Sequence, residues 1–255
     1  MKIKCLQVGP IGTNCYLLCD EDAKTCAVID PGGDGARIAA AVAETGCVPC
    51  AILLTHGHYD HTGAVGELQA KWPETPVYLN RRDVYADACT QQLFPLLSGD
   101  VRDYDEGDTV AVGGLTVTVL ATPGHSEGSV TLRCQDALFC GDTLFAGSCG
   151  RTDFPGGSME KMMASLRRLG QLEGDLRVAV GRPNISRSMA WAAPMPGRSH
   201  TITLIKTKVS AQTAESVLRV ASRSMGIFGM VPEWNIIVRV VWVAAFVCAN
   251  VRKKR

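Results

Sequence analysis

The chain predicts an α/β fold, a mixed sheet with helices packed outside it, and three observations carry that prediction. Short apolar runs bounded by Gly, Pro, Asn and Asp recur along the first 180 residues, as half-buried strands do. These runs are grouped, with helical windows interspersed, and do not alternate strictly strand by helix. Residues able to ligate a metal stand directly after several of them, as side chains converging at one sheet edge must.

Strands are expected first at Ile3 to Val8, Asn14 to Cys19 and Cys26 to Asp30, each apolar with turn residues between. Asp34 opens a helix running to Gly46, with Ile38 and Val42 on one face and Gly46 as its stop. A buried strand at Ala51 to Leu54 leads into a His-rich loop, and a helix follows from Gly63 to Trp72. Val77 to Leu79 is a strand, Arg81 to Cys89 is expected to be helical, and Pro95 to Asp105 is expected to be irregular loop. Gly113-Gly114 makes a tight turn between Thr109–Val112 and Leu115–Leu120. Ser129–Cys134 and Ala137–Cys140 pair about another turn. Ser158 introduces an amphipathic helix, Met159 to Leu169, and Leu176 to Val180 is a last strand.

Composition narrows the function classes. The 255 residues suit one sizeable domain, or one domain with an appendage. A net charge of +1 gives no basis for a nucleic-acid or anionic-membrane partner. Eleven cysteines, an odd number, do not suit a small disulfide framework, and the N-terminus alternates like a strand without a secretory apolar core. A reducing cytoplasm is the expected location. Cys47-Val48-Pro49-Cys50 has no partner pair and reads as two incidental thiols rather than a redox or metal site.

The richest segment is Thr55-His56-Gly57-His58-Tyr59-Asp60-His61, which places three of the chain's five histidines and a carboxylate in one short window. Imidazole and carboxylate donors suit Zn²⁺, with Fe or Mn as alternatives. Thr122-Pro123-Gly124-His125-Ser126 presents His125 after one strand, and Phe139-Cys140-Gly141-Asp142-Thr143 presents Asp142 after another.

These motifs, with Asp30-Pro31-Gly32-Gly33, resemble those of the metallo-β-lactamase-fold hydrolases over roughly residues 1–180. The resemblance implies an αββα sandwich with a two-metal site at one edge. By it His56, His58 and His125 hold one metal, while Asp60, His61 and a bridging Asp142 hold most of the second. Two such ions generate a hydroxide nucleophile near neutral pH and polarise an acyl carbonyl, with Asp60 orienting the hydroxide or taking its proton. Within that group the runs Val8 to Tyr16 and Gly141 to Gly157 are similar to the short, bacterial-type glyoxalase II enzymes, which hydrolyse glutathione thioesters such as S-lactoylglutathione. Arg151 is then a candidate anchor for a substrate carboxylate. An ion pair with Asp153 that stabilises the loop is the competing role for it.

The resemblance fails at the end of the domain. The family pattern calls for a further Gly-His after the last core strand, and this chain has Gly181-Arg182. Beyond it the character changes: Ser186 to Ser199 has poor periodicity, and Ile236 to Val251 is apolar with a basic flank. The division expected is a domain at 1–181 and an atypical segment at 182–255, most simply a product of a shifted reading frame in the encoding DNA. A novel appendage and a membrane anchor are the other readings, the apolar run being short for a span. His200 is the remaining histidine that could stand in for the missing ligand. The leading function is a metal-dependent thioester hydrolase. The alternatives are a mononuclear-iron persulfide dioxygenase using His56, His125 and Asp142, and a metal-binding homologue impaired by its lost ligand. Nothing beyond the shared fold points to a lactam substrate.

Overall fold

A computed structural model describes residues 1–145 and 148–182. His200, the 186–199 segment and the 236–251 apolar run lie outside the described residues.

Strands β1 (Lys2–Val8), β2 (Thr13–Asp20) and β3 (Thr25–Ile29) form an antiparallel meander, and β4 (Val48–Leu53), β5 (Val77–Tyr78) and β6 (Val101–Arg102) extend it in parallel. The crossover from β3 to β4 is helix α1 (Gly35–Thr45); that from β4 to β5 carries α2 (Tyr59–Thr62) and α3 (Val65–Lys71). A second sheet has the order β13-β10-β9-β8-β7. Its members are β7 (Thr109–Val112), β8 (Leu115–Ala121), β9 (Val130–Cys134), β10 (Ala137–Phe139) and β13 (Arg177–Ala179), with only β10 and β13 parallel. A two-stranded ribbon, β11 (Leu144–Phe145) and β12 (Ser148–Cys149), precedes helix α4 (Met159–Leu169).

The alternation of side chains along the first sheet explains the layering. Cys15, Leu17, Val28 and Ile52 face α1 and α3, where Ile38, Val42, Val65 and Leu68 complete one core. Their neighbours Tyr16, Leu18, Ala27, Ile29 and Leu53 face the other way and meet Val117, Val119, Leu132 and Phe139 of the second sheet. Tyr16 and Phe139 pack edge to face with ring centroids 5.3 Å apart. On the outer face of the second sheet, Met162 of α4 is fully buried and Ser165 Oγ donates to the Pro123 carbonyl at 2.7 Å. The result is the αββα sandwich.

Three expectations need correction. Arg81 to Cys89 is not a helix: a single 3₁₀ turn, Arg81–Asp83, gives way to an extended Val84. Asn80 caps that turn by accepting from the Arg82 N–H, and Asp83 is then drawn inward as a buried acceptor, which ends the helical path. The supposed loop from Pro95 to Asp105 contains edge strand β6, too short to show a period. The ribbon β11–β12 falls in a segment where no strand was expected. Among the described residues the ten cysteines are all unpaired, and no helix is long and apolar enough to cross a membrane.

Phe139 fills the space between the sheets. Phe139→Ala should lower the unfolding free energy by about 3–5 kcal/mol, the usual cost of so large a cavity. Urea denaturation measures this, and a loss below about 1 kcal/mol would mean the inter-sheet layer is not the principal core.

Candidate metal centre

The site is assembled from strand ends of both sheets. Strand β4 ends at Leu53, and Leu54 still donates to the Tyr78 carbonyl at 3.0 Å, so the chain leaves the sheet at Thr55. His56 and His58 follow on the loop; Asp60 and His61 lie in the single turn α2. His125 is presented after β8, Asp142 after β10, and Arg182 after β13. Each ligand candidate is buried, His61 completely.

Two residues at the ends of neighbouring strands fix the imidazoles. The Asp30 carboxylate accepts from the Thr55 N–H and from its hydroxyl, both at 2.7 Å. The Thr55 hydroxyl oxygen lies 3.1 Å from His56 Nδ1, which holds that ring with Nε2 facing inward. Asp30 Oδ2 also stands 3.0 Å from His61 Nδ1. His125 Nδ1 donates to the Arg151 carbonyl at 2.7 Å, leaving its Nε2 as the inward lone pair. Asp83, buried beneath, accepts from the Gly57 and Gly128 N–H groups at 2.8 and 2.7 Å and from Ser126 Oγ at 2.7 Å. It thereby ties the His56–His58 loop to the His125 loop. At Gly141 the backbone takes φ 47°, and a Cβ there would collide with the Thr55 hydroxyl. Only glycine lets β10 deliver Asp142 so close to the His loop.

Several polar atoms of this cluster are short of partners. His56 Nε2, His58 Nε2, both nitrogens of His61 and Asp142 Oδ1 make no well-aligned hydrogen bond. Buried polar atoms normally find one, so this cluster is a donor set awaiting an electrophile. Ligand atoms of His56, His58 and His125 lie within 4.8 Å of one another, and so do those of His56, His61 and Asp142. His58 Nδ1 and His125 Nε2 are 2.9 Å apart, an approach of two imidazoles that a shared cation explains. The residues at His56, His58 and His125 therefore fit a divalent metal. Asp60 belongs to neither grouping; its Oδ2 accepts from Thr13 Oγ1 at 3.2 Å and from Arg182 Nη2 at 2.6 Å.

Protonation follows the same division. Burial pushes His56 well down, His58 to about 3, and His125 down, reinforced at His56 and His58 by the neighbouring imidazoles. These three are neutral at pH 7, the form that binds metal. His61 differs: burial pulls it down, but Asp30 and Asp142 outweigh that and raise it to about 10. Asp142 is driven below the usual carboxylate range, since His61 overcomes the effect of burial.

Arg151 forks onto Asp153 with two contacts of 2.7 Å and stacks on Phe154 at 3.7 Å. Its side chain is thus in the loop ion pair, while its carbonyl serves His125. The residues that sequence reading left out of the site are Asp30, Thr55, Asp83 and Thr13. Asp30, Thr55 and Thr13 each stood in a quoted run, Asp30-Pro31-Gly32-Gly33, Thr55 to His61 and Val8 to Tyr16, without a role assigned; Asp83 lay in a wrongly expected helix. A cleft of about 360 Å³ opens beside Asp60 between Pro10-Ile11 and Pro95-Leu96, and none of the described residues lining it is basic. Cys47 and Cys50 belong to no metal-ligand group among the described residues.

Residues 8–182 match the metallo-beta-lactamase superfamily. The chain belongs to that superfamily, whose members are generally hydrolases. Among curated relatives, Probable metallo-hydrolase YqgX from Bacillus subtilis is 42% identical over 176 residues, covering 65% of this chain and 82% of that protein. Hydroxyacylglutathione hydrolase from Yersinia pestis is 38% identical over 149 residues, 58% of this chain. The match spans about half of that enzyme, 53% of its length. Among solved structures, the BLEG-1 B3 metallo-beta-lactamase superposes with a TM-score of 0.64 at 34% identity, covering 72% of this chain and 92% of its own. ETHE1 from Myxococcus xanthus gives 0.62 at 31% identity, covering 74% and 78%. A third protein, crystallised in a di-iron-bound form, gives 0.60 at 36% identity, covering 71% and 92%. Divalent metal use follows from the donor set and the family.

Two outcomes follow. His58→Ala should remove one equivalent of metal per chain by elemental analysis, and unchanged content would dismiss the three-histidine assignment. In the metal-free protein, charged His61 stabilises the fold fully below its ordinary value of 6.5, and that contribution is lost as pH rises toward 10. Unfolding free energy measured between pH 6.5 and 8 should therefore fall in the wild type and fall less steeply in His61→Gln.

Proposed function

We propose that this protein is a metal-dependent hydrolase of thioesters, with hydroxyacylglutathiones such as S-lactoylglutathione as the substrate class. The observation that carries the reading is the buried cluster of His56, His58 and His125, whose ligand atoms lie within 4.8 Å of one another, with His56 Nε2 lacking any hydrogen-bond partner. The relatedness to hydroxyacylglutathione hydrolase supports the substrate. A bound divalent ion, zinc being the natural choice for three imidazoles, supplies an acidified water and polarises the acyl carbonyl.

The chain's own residues do the rest. Asp60, held by Thr13 and Arg182, orients the attacking water and receives its proton. The cleft beside Asp60 receives the thioester. Arg151 can anchor a substrate carboxylate only by exchanging Asp153 for it, so its contribution is to KM. The activity belongs to a reducing cytoplasm, where glutathione thioesters occur.

A second reading draws on the likeness to ETHE1: a mononuclear-iron persulfide dioxygenase using His56, His125 and Asp142. His125 Nε2 and Asp142 Oδ2 stand 3.7 Å apart, compatible with a shared ion.

Zinc- and iron-loaded protein should be assayed side by side on S-lactoylglutathione, glutathione persulfide and a chromogenic lactam. Thioester turnover that disappears with a chelator and returns with zinc is the expected result. Oxygen uptake with persulfide would install the second reading, faster lactam turnover would overturn the substrate class, and no turnover in any form would mark an impaired homologue.

A further inference from the structure

Arg182 stands where the family pattern calls for the last histidine of the second metal, and its side chain is not merely a missing ligand. Nη2 donates to Asp60 Oδ2 at 2.6 Å, and Nε donates to Asp142 Oδ2 at 3.2 Å. The guanidinium thus bridges the two carboxylates that the resemblance assigns to the second metal. Both are nearly fully buried, and Arg182 itself is only 24% exposed. Buried carboxylates in such a place need a compensating positive charge, and this one is covalently part of the chain.

The backbone leaves this arrangement little freedom. The Gly181 N–H donates to the Gly141 carbonyl and the Asn14 N–H donates to the Gly181 carbonyl, both at 2.8 Å. Asn14 Nδ2 and the Tyr16 hydroxyl both donate to the Val180 carbonyl, at 2.9 and 2.7 Å. Strand β2 and the turn after β10 therefore grip residues 180 and 181 and hold the 182 side chain beside Asp142. A Cβ at Gly181 would strike Asp142 Oδ1, so the close approach is built into the chain.

We infer that Arg182 is a built-in substitute for the second cation, so that the centre takes one divalent ion, at His56, His58 and His125, and not two. The inference rests on the metal-centre reading above and deepens it. A second divalent ion at Asp60, His61 and Asp142 would have to displace the guanidinium from both carboxylates and would lie beside a fixed charge of the same sign. Arg182 is accordingly a positioning residue, holding Asp60 and Asp142 where the second metal would otherwise hold them.

Metal stoichiometry tests this without reference to turnover. Chelator-stripped full-length protein is titrated with zinc by calorimetry and examined by native mass spectrometry, beside Arg182→His and Arg182→Lys, with circular dichroism to confirm folding. The expected result is one equivalent for the wild type and for Arg182→Lys, and two for Arg182→His, whose imidazole would be delivered by the same gripped backbone. Cobalt substitution gives an independent readout on the wild type alone, which should show a magnetically isolated ion with no spin coupling. Two tight equivalents or a coupled cobalt pair in the wild type would overturn the proposal, as would a folded Arg182→His that still takes only one. A wild type with one metal and no thioesterase activity would leave the single-ion centre standing and remove only the proposed substrate.

Discussion

Asp30, the residue directly after strand β3, holds three groups with one carboxylate. It accepts the backbone N–H and hydroxyl of Thr55, at the end of the neighbouring parallel strand, and faces His61 Nδ1 at 3.0 Å. Through Thr55 it sets the ring of His56, and directly it sets that of His61. Its own backbone takes φ 52°, an uncommon conformation that aspartate tolerates better than most residues. Parallel pairing of β3 with β4 brings Asp30 and Thr55 together, so the sheet register and the orientation of the ligands are one constraint. Asp83 does the same on the other side, joining the His loop to the turn that carries His125.

These buried acceptors explain how the fold tolerates so polar a centre. Inward imidazole nitrogens without partners are costly in a metal-free protein, and such costs persist where function needs the groups. The cost is limited by the contacts that the rings do make: the Thr55 hydroxyl beside His56 Nδ1, the Arg151 carbonyl accepting from His125 Nδ1, and Asp30 facing His61 Nδ1. Among the atoms left unsatisfied are His56 Nε2 and Asp142 Oδ1, which a cation would take. Arg182 extends the same logic to the carboxylates, satisfying Asp60 and Asp142 from within the chain. The site is thus polarised, with neutral imidazoles on one side and a paired guanidinium on the other.

Several strands and helices were legible from local pattern: α1 through Ile38 and Val42 on one face, β2 and β3 as apolar runs buried on both faces, the β7–β8 hairpin through Gly113-Gly114. Edge strand β6 and ribbon β11–β12, two residues per strand, were not, since so short a segment has no period and exists by virtue of its neighbour. Arg81 to Cys89 misled for a related reason. Its helix-favouring residues were overruled by the pull of Asp83 toward the Gly57 and Gly128 amides, contacts 26 and 45 residues away in sequence.

The sequence by itself determined the candidate ligand types. His-x-His-x-Asp-His, Pro-Gly-His and Gly-Asp-Thr are local patterns, each placed after a strand, and the family they indicate is the family to which the chain belongs. It also determined that residue 182 is arginine rather than histidine. Only the tertiary structure decided what that substitution does, because the partners of Arg182 lie 122 and 40 residues away, at the ends of elements in different sheets. The roles of Asp30, Thr55 and Asp83 were likewise decided by folding. A carboxylate or hydroxyl acquires its function from the groups it faces, and sequence spacing does not specify which those are.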